Sequence, residues 1–445
     1  MEKVDTLIKA RWIAPVVPAG PALEHHAVAI RQGRIVALLP ADEALAHYEA
    51  TEVIDRPGHL LIPGLINAHT HAAMSLLRGL ADDLPLMAWL QDHVWPAEQR
   101  WMSAEFVEHG SELAMAEMLL GGTTTFNDMY FFPDVVARSA ARIGMRACVG
   151  MILIKFPTVW ADDSADYLRK GLELRDEYKG HPLISTAFAP HAPYTVEDEY
   201  LVKIRRLADE LEAPVHMHLH ETADEVSGSI AECGVRPLAR LERLGLVSPM
   251  LMAVHMTQLE DTEIERVAAA GASIVHCPES NLKLASGFCP VAKLIDAGAN
   301  VCLGTDGAAS NNDLDMLGEM RTAALLAKGV AGRADAVSAR QALAMATING
   351  ARALGLAEET GSIEPGKWAD LCCVNLERAA TWPVYDPVAQ LVYATSRDQV
   401  EDVWVAGRRM VADGRLARLD DAVMMARAEA WRDRIAGTDK HDRDN

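Results

Sequence analysis

Two histidines with one residue between them, His69 and His71, end a short apolar run that begins at Ile62. In an extended strand, residues i and i+2 point to the same side, so both imidazoles can face one point. Two converging nitrogen ligands make half of a zinc site. Two ordinary polar residues at a strand end would give the same pattern. The chemistry therefore depends on whether the chain supplies further ligands and a base.

A second histidine-rich run occupies residues 215–221. Strand alternation puts His216, His218 and His220 on one face, so spacing alone does not decide which of them binds a metal. At least one of the three is expected to be a hydrogen-bonded core histidine. Glu221 follows at the edge of the loop, where a carboxylate can reach a water bound to the metal.

A single carboxylate, Asp306, stands at the tip of the apolar run that begins at residue 301. Burying it there is costly unless it is paired or binds a metal. Two histidines, one further histidine and an aspartate around one ion leave room for water, as a hydrolytic zinc site requires. Such a metal lowers the pKa of bound water from about 16 to about 7.

The elements that must position these residues are apolar strand-like runs that alternate with helical patterns such as 104–120 and 197–211. The strand candidates are the run ending at 71 and residues 123–128, 147–154, 184–190, 215–220, 251–255, 273–277 and 301–306. Eight βα units predict a closed (β/α)8 barrel, whose active site lies at the carboxyl ends of its strands. The unusual polar residues fall at those ends: His69, His71, Asp128, His191, His218, His220, Glu221, His255, His276 and Asp306.

Both ends of the chain lack the alternating strand and helix pattern and instead contain short β runs separated by turns. Residues 27–39 form a hairpin-like pair, and residues 371–374 and 400–405 are short β runs. We expect the two ends to form one small β domain beside the barrel. The predicted division is 1–62 and 363–445 for this domain and the C-terminal tail, with 63–362 as the catalytic barrel.

Charge, apolar runs and cysteine content bear on which partners and which cellular location to expect. The formal net charge of −21, from 63 acidic and 42 basic residues, argues against nucleic acid or an anionic membrane as a partner. The first residues lack a signal-peptide pattern, and no apolar run reaches membrane-span length. Seven mostly isolated cysteines favour a reducing cytoplasm over a disulfide framework. A homo-oligomer is compatible with the sequence, which carries no signal for the number of copies.

In this order, the motifs resemble the amidohydrolase superfamily over nearly the whole chain. The resemblance rests on residues 63–71, 218–221, 255, 304–307 and 361–371. It implies an α/β fold, a (β/α)8 TIM barrel of the metal-dependent hydrolase type with a small β-sandwich built from both termini. Some members bind two metals through a carboxylated lysine on the fourth strand. Residues 184–190 contain no lysine, so a mononuclear site is expected.

The resemblance also implies roles for residues. In the mononuclear deaminases the ligand histidine precedes the glutamate by three residues, which selects His218 as ligand and Glu221 as proton shuttle. One Zn²⁺ per chain, or Fe²⁺ in its place, is then expected on four ligands: His69, His71, His218 and Asp306. The expected catalytic residues are Glu221, His255 and Asp306.

Within the superfamily the chain is most similar to the 5-methylthioadenosine/S-adenosylhomocysteine deaminase family, through residues 75–84, 95–98 and 190–194. In that family the glutamate matching Glu98 holds the ribose hydroxyls, and the histidine matching His191 contacts the nucleoside. Trp89 and Trp95, expected in the same long loop, suit either an apolar pocket wall or core packing. The implied substrate-binding residues are Glu98, His191, Glu221, Asp306 and Trp95.

The resemblance therefore implies hydrolytic deamination of adenine nucleosides, small molecules that lose ammonia and become inosine analogues. 5′-Methylthioadenosine is expected to be preferred over S-adenosylhomocysteine and adenosine, since residues 155–166 offer three aspartates and no arginine for a carboxylate; Lys155 is the rival cation. Guanine deaminases, cytosine deaminases and s-triazine hydrolases are alternatives on the same site. A non-catalytic scaffold is disfavoured, because such proteins usually lack metal ligands that are all present here.

Overall fold

The N-terminal segment forms a strand-rich start to the chain in the computed structural model, which describes residues 1–443. Its elements are β1 (Glu2–Ile13), β2 (Leu23–Arg31), β3 (Arg34–Pro40), α1 (Ala41–His47) and β4 (Tyr48–Pro63). The turn between β2 and β3 consists of Gln32 and Gly33, with φ of 52° and 76°. Two successive positive φ angles suit the twist of a tight hairpin, so the predicted hairpin is confirmed.

The barrel strands follow at the predicted places. They are β5 (Leu65–Thr70), β6 (Thr123–Asp128), β7 (Arg146–Leu153), β8 (Ile184–Pro190), β9 (Val215–Leu219), β10 (Leu251–His255), β11 (Ser273–His276) and β12 (Asn300–Leu303). Within residues 1–443 they form one eight-stranded sheet in the order β12 to β5, with parallel pairing. The backbone N–H of Asp306, just after β12, donates to His69 O at 3.0 Å and joins the sheet's two ends. The (β/α)8 barrel is confirmed.

Helices connect these strands, and several start or stop at capping residues. They are the 3₁₀ helix Ala72–Leu77, α2 (Leu86–Trp89), the π-helical turn Leu90–Val94, α3 (Trp95–Trp101), α4 (Ala104–Leu120), α5 (Pro133–Ile143), α6 (Ser164–Glu177), α7 (Asp198–Leu211), α8 (Ala223–Cys233), α9 (Pro237–Arg243), α10 (Asp261–Ala270), α11 (Pro278–Lys283), α12 (Val291–Asp296), α13 (Met316–Ala331), α14 (Ala339–Met345) and α15 (Ile348–Ala353).

One local expectation was wrong. Trp89 and Trp95 lie on helices α2 and α3, separated by a single π-helical turn, and not in a long loop. Pro96 stands in the first turn of α3, directly after the π-helical turn, and the helical backbone continues through it to Trp101. Trp89 is buried, whereas Trp95 is 47% exposed.

The C-terminal segment returns to the terminal sheet. Its elements are β13 (Leu371–Asn375), α16 (Pro387–Ala394), the 3₁₀ turn Arg397–Gln399, β14 (Val400–Val405), β15 (Arg408–Ala412), β16 (Arg415–Leu416) and α17 (Asp421–Arg443). Among the described residues, this second sheet has eight strands in the order β16-β15-β14-β13-β4-β1-β2-β3. β13 pairs antiparallel with β4, so both termini build one mostly antiparallel sheet, as predicted. The last two residues of the predicted tail, 444–445, lie outside the described residues.

The chain packs as two units. One comprises residues 1–67, 118–125 and 315–418, and its core includes Ile8, Ile30, Leu61, Leu371 and Trp404. The other comprises residues 68–117, 126–314 and, among the described residues, 419–443, and it contains every predicted site residue. The predicted domain boundaries at 62/63 and 362/363 stay a prediction. No helix within residues 1–443 is both long and apolar enough to cross a membrane.

Candidate metal centre and active site

Four side chains converge at the carboxyl ends of the barrel strands, and we refer to them as the ligand cluster: His69, His71, His218 and Asp306. Each offers one ligand atom, and these atoms all lie within 4.8 Å of one another. Asp306 Oδ1 lies 3.2 Å from His69 Nε2 and 3.3 Å from His71 Nε2. His218 Nε2 lies 3.2 Å from His69 Nε2. The strand ends have therefore brought three imidazole nitrogens and one carboxylate oxygen to one point.

Backbone carbonyls of neighbouring strands fix two of the three rings. His71 Nδ1–H donates to Met129 O at 2.6 Å, and His218 Nδ1–H donates to His191 O at 2.8 Å. A histidine that donates from Nδ1 keeps the lone pair on Nε2, which in both residues faces the cluster. This outer hydrogen bond is the usual support of a metal-binding histidine.

The third ring has a side chain as its support. His69 Nδ1 lies 2.9 Å from Nε2 of His216, which is buried in the barrel. For His69 Nε2 to keep its lone pair, Nδ1–H must donate to His216. Of the three alternating histidines in β9 and just beyond it, only His218 belongs to the ligand cluster among the described residues. His220 has a positive φ, and its Nε2 accepts a hydrogen bond from the backbone N–H of Leu238. We therefore assign it a structural role and not a metal-binding one.

The charge balance favours a cation. Burial alone would raise the pKa of Asp306, but the hydrogen bonds and charges of His69 and His71 hold it well below its usual range. Ser280 and Ser310 donate to the other carboxylate oxygen at 2.6 and 2.9 Å. Although burial opposes it, Asp306 raises the pKa of His71 to about 9. A point that stabilises positive charge, surrounded by three imidazoles and one carboxylate, fits zinc by its donor set.

A carboxylate with a different environment lies beside the cluster. Glu221 Oε2 is 3.8 Å from His255 Nε2, and the Glu221 side chain is 12% exposed. Burial is the main cause that raises the pKa of Glu221. His255 in turn shares a hydrogen bond of 2.9 Å between its Nδ1 and Asn281 Oδ1. Glu221 also lines a cavity of about 250 Å³ together with Met87 and Tyr194.

Glu98, the predicted ribose acid, lies on α3 in a partly buried position and not in an exposed loop. Tyr130 Oη donates to Glu98 Oε1 at 2.7 Å. Burial raises the pKa of Glu98 to about 7, against the lowering effect of Tyr130. His191 contacts Thr195 Oγ1 at 3.1 Å, and burial lowers the pKa of His191 to about 3, so its ring is neutral. Trp95 occupies the same helix as Glu98.

Several supporting residues escaped the sequence analysis. Tyr130 could have been suspected, because it follows the carboxyl end of β6 by two residues. Ser280, Ser310 and Asn281 carry no such signal, since short polar residues near helix starts are common. Asp128, which the strand-end rule did pick out, accepts from the Thr70 hydroxyl and the Ala72 N–H and is not in the ligand cluster. His276 also lies outside that cluster.

Comparison with known proteins gives consistent matches. A model of the Amidohydrolase family matches residues 60–410. A 5-methylthioadenosine/S-adenosylhomocysteine deaminase from Saccharophagus degradans is 52% identical over 97% of each chain. A 5′-deoxyadenosine deaminase from Methanothermobacter thermautotrophicus is 40% identical over 92% of this chain and 96% of its own. The crystal structure of an adenosine deaminase from Xanthomonas campestris with bound zinc has a TM-score of 0.97 at 53% identity, covering 98% of this chain and 99% of that one.

Proposed function

Because the chain belongs to the amidohydrolase family, we propose that it is a zinc-dependent hydrolase that deaminates adenine nucleosides to inosine analogues and ammonia. It acts on a C–N bond of a cyclic amidine, the bond that joins the 6-amino group to the purine. The observation that carries the proposal is the ligand cluster with Glu221 beside it. Two relatives that match over at least 92% of this chain carry deaminase names, and an adenosine deaminase that is 53% identical to it was crystallised with zinc.

The proposed roles follow from position and charge. Zinc on His69, His71, His218 and Asp306 supplies a water of lowered pKa, near 7, for attack at C6. Glu221 takes the proton of the attacking water and passes it to N1 of the purine, a transfer helped by the raised pKa of this carboxyl. His255 and Asp306 assist the formation of the tetrahedral intermediate at C6 and the departure of ammonia.

The nucleoside is bound by residues on either side of the cluster. Glu98 accepts hydrogen bonds from the two ribose hydroxyls, while Tyr130 holds one of its oxygens in place. His191, which is neutral, contacts the nucleoside, and Trp95 offers an exposed apolar face on the same helix as Glu98. 5′-Methylthioadenosine is the preferred substrate in this proposal, with S-adenosylhomocysteine and adenosine as weaker ones.

Ammonia release from a panel of compounds tests the function. The panel holds 5′-methylthioadenosine, 5′-deoxyadenosine, adenosine, S-adenosylhomocysteine, adenine, guanine, cytosine and an s-triazine. We expect the adenine ribosides to react and adenine to react poorly. A preference for adenine, guanine, cytosine or the triazine would overturn the proposal. Metal analysis should find about one zinc per chain, with iron(II) as the alternative.

A substitution separates the base from the metal site. Glu221→Gln should keep the zinc and lose turnover, because an amide does not shuttle a proton. A variant with the wild-type rate would show that the assigned base is wrong.

The cytoplasmic location expected from the cysteine content and the formation of a homo-oligomer stay predictions.

A further inference from the structure

The backbone around Glu221 is held from two sides, while its carboxylate is not. Glu225 Oε2 accepts from the Glu221 N–H at 2.7 Å, and Glu225 Oε1 accepts from the His220 N–H at 3.0 Å. Thr257 Oγ1 donates to Glu221 O at 2.7 Å. The Glu221 carboxylate, by contrast, has His255 no closer than 3.8 Å. The peptide units of this residue are thus fixed and its side chain retains freedom.

The start of α8 builds this arrangement. Thr222 is the N-cap residue and accepts from the Glu225 N–H at 3.2 Å. A glutamate three residues after the cap usually bonds back to the N–H of the cap residue itself. Here it reaches the two N–H groups before the cap. His220 has φ of 53°, a left-handed conformation that costs energy in a non-glycine residue and that these hydrogen bonds help to maintain.

A general base that shuttles a proton has two geometric requirements. Its carboxylate must move between the water and the purine nitrogen, and the pivot of that motion must stay in place. Misplacing a reacting group by about 1 Å can cost about 100-fold in rate. We propose that Glu225 is a positioning residue, which holds the main chain of Glu221 so that the base swings about a fixed pivot. This inference rests on the proposed deamination and on Glu221 as its base.

The chemistry of the two hydrogen bonds requires a carboxylate. Both partners of Glu225 are donors, and an ionised carboxylate accepts from two N–H groups, one at each oxygen. Burial raises the pKa of Glu225 to about 7, and the hydrogen bonds from Glu221 and His220 act in the opposite direction. A glutamine has nearly the same shape but one acceptor oxygen. Its amide N–H₂ would face a backbone N–H, so one hydrogen bond becomes a donor–donor conflict.

The first experiment compares kcat, KM for 5′-methylthioadenosine and zinc content in the wild type and three variants. Glu225→Gln should lower kcat by about 10- to 100-fold and leave KM and zinc within about twofold. Glu225→Asp should recover part of the rate, since it restores a carboxylate. Glu210→Gln, the same change at an exposed acid on α7, should match the wild type. The proposal would be overturned if Glu225→Gln left kcat unchanged. It would also be overturned if the variant changed KM and zinc content by as large a factor as it lowered kcat.

A second experiment asks whether Glu225 acts through Glu221. In Glu221→Asp the carboxylate is already displaced by one methylene, so adding Glu225→Gln should cost at most about threefold more. Residues that act as a unit are non-additive in this way. A full additional loss would overturn the inference, whereas a Glu221→Gln variant with wild-type activity would overturn the proposed function itself. If Glu225→Gln does not fold, Thr257→Val replaces it in the test. This variant removes the hydrogen bond to Glu221 O and should lower kcat without changing KM or zinc content.

Discussion

At the scale of single residues, Glu98 combines a raised pKa with a role that needs its charge. Only the ionised carboxylate accepts from both ribose hydroxyls, while the protonated form keeps one oxygen as a donor. With a pKa of about 7, Glu98 is mostly protonated at pH 6 and mostly ionised at pH 8. The binding form is therefore present above pH 7 and is lost as the pH falls below it.

This titration predicts a pH-dependent preference for the ribose diol. The ratio of kcat/KM for adenosine to kcat/KM for 2′,3′-dideoxyadenosine should rise about 10-fold from pH 6 to pH 8. Taking the ratio cancels the titration of groups that act on both substrates. Glu98→Ala should weaken the riboside, flatten this ratio and keep its zinc. A flat ratio in the wild type would argue against Glu98 as the ribose ligand.

At the scale of elements, we predict that the connection from β7 to α6 meets the 5′ substituent of the nucleoside. Phe156 and Val159 are exposed there, and residues 162, 163 and 166 are aspartates. Arg169 lies on α6, where Glu173 holds its guanidinium at 2.7 Å. Lys170, the next residue on α6, is likewise paired, with Asp166 at 2.9 Å and with the carbonyl oxygen of Trp160. Lys155 lies in the connection itself, with its Nζ 5.4 Å from the Phe156 ring centre.

From this connection we predict the order of two substrates. The carboxylate of S-adenosylhomocysteine loses hydration on binding and needs a paired donor, whereas a methylthio group needs only apolar surface. kcat/KM should therefore be higher for 5′-methylthioadenosine, when both are measured in one buffer. The same comparison in Lys155→Ala is the control. Equal or higher efficiency with S-adenosylhomocysteine in the wild type would contradict the prediction, and its loss in the variant would identify Lys155 as the carboxylate's partner.

Helix α17 is a second element with a testable contribution. Trp431 is buried, its indole N–H donates to His109 Nδ1 at 3.1 Å, and its ring meets Phe106 edge-on at 5.2 Å. Trp431→Ala should lower the free energy of unfolding by about 3 kcal/mol through lost packing. Urea denaturation measures this, with Ala at exposed Arg432 as the control. Equal midpoints for the two variants would show that the packing of Trp431 adds nothing to stability.

The positions of the strands could be predicted from the sequence better than the side-chain contacts between distant elements. Strand positions follow from local apolar runs, and the i, i+2 spacing of His69 and His71 fixes a shared direction. The contact of Glu98 with Tyr130 joins helix α3 to a loop 32 residues later, so no local pattern reports it. Alternation likewise cannot separate His218 from its neighbours. The contact of His216 with His69 and the left-handed turn at His220 exist only in the folded chain. Helix α17 was not predicted, and its last residues, 440–443, were expected to belong to a charged tail.

At the scale of the whole molecule, the ligand cluster links metal binding to stability. Its four groups meet only in the folded chain, so zinc binds the native state and stabilises it by about 4 kcal/mol at a thousand times its Kd. A strong chelator should lower the Tm of the wild type. It should leave His218→Ala, which lacks one ligand, nearly unchanged. Calorimetry on both proteins measures this, and a chelator-insensitive wild type would contradict zinc binding at this cluster.

The supports of the metal ligands differ in how they tolerate sequence change. His71 and His218 donate to the carbonyl oxygens of Met129 and His191, atoms that every amino acid carries. Replacing either of those residues changes a side chain while the acceptor atom remains. The support of His69 is a side chain, His216. An evolving or engineered enzyme can therefore vary positions 129 and 191 without losing these acceptors, whereas a change at position 216 must supply another side-chain acceptor for His69.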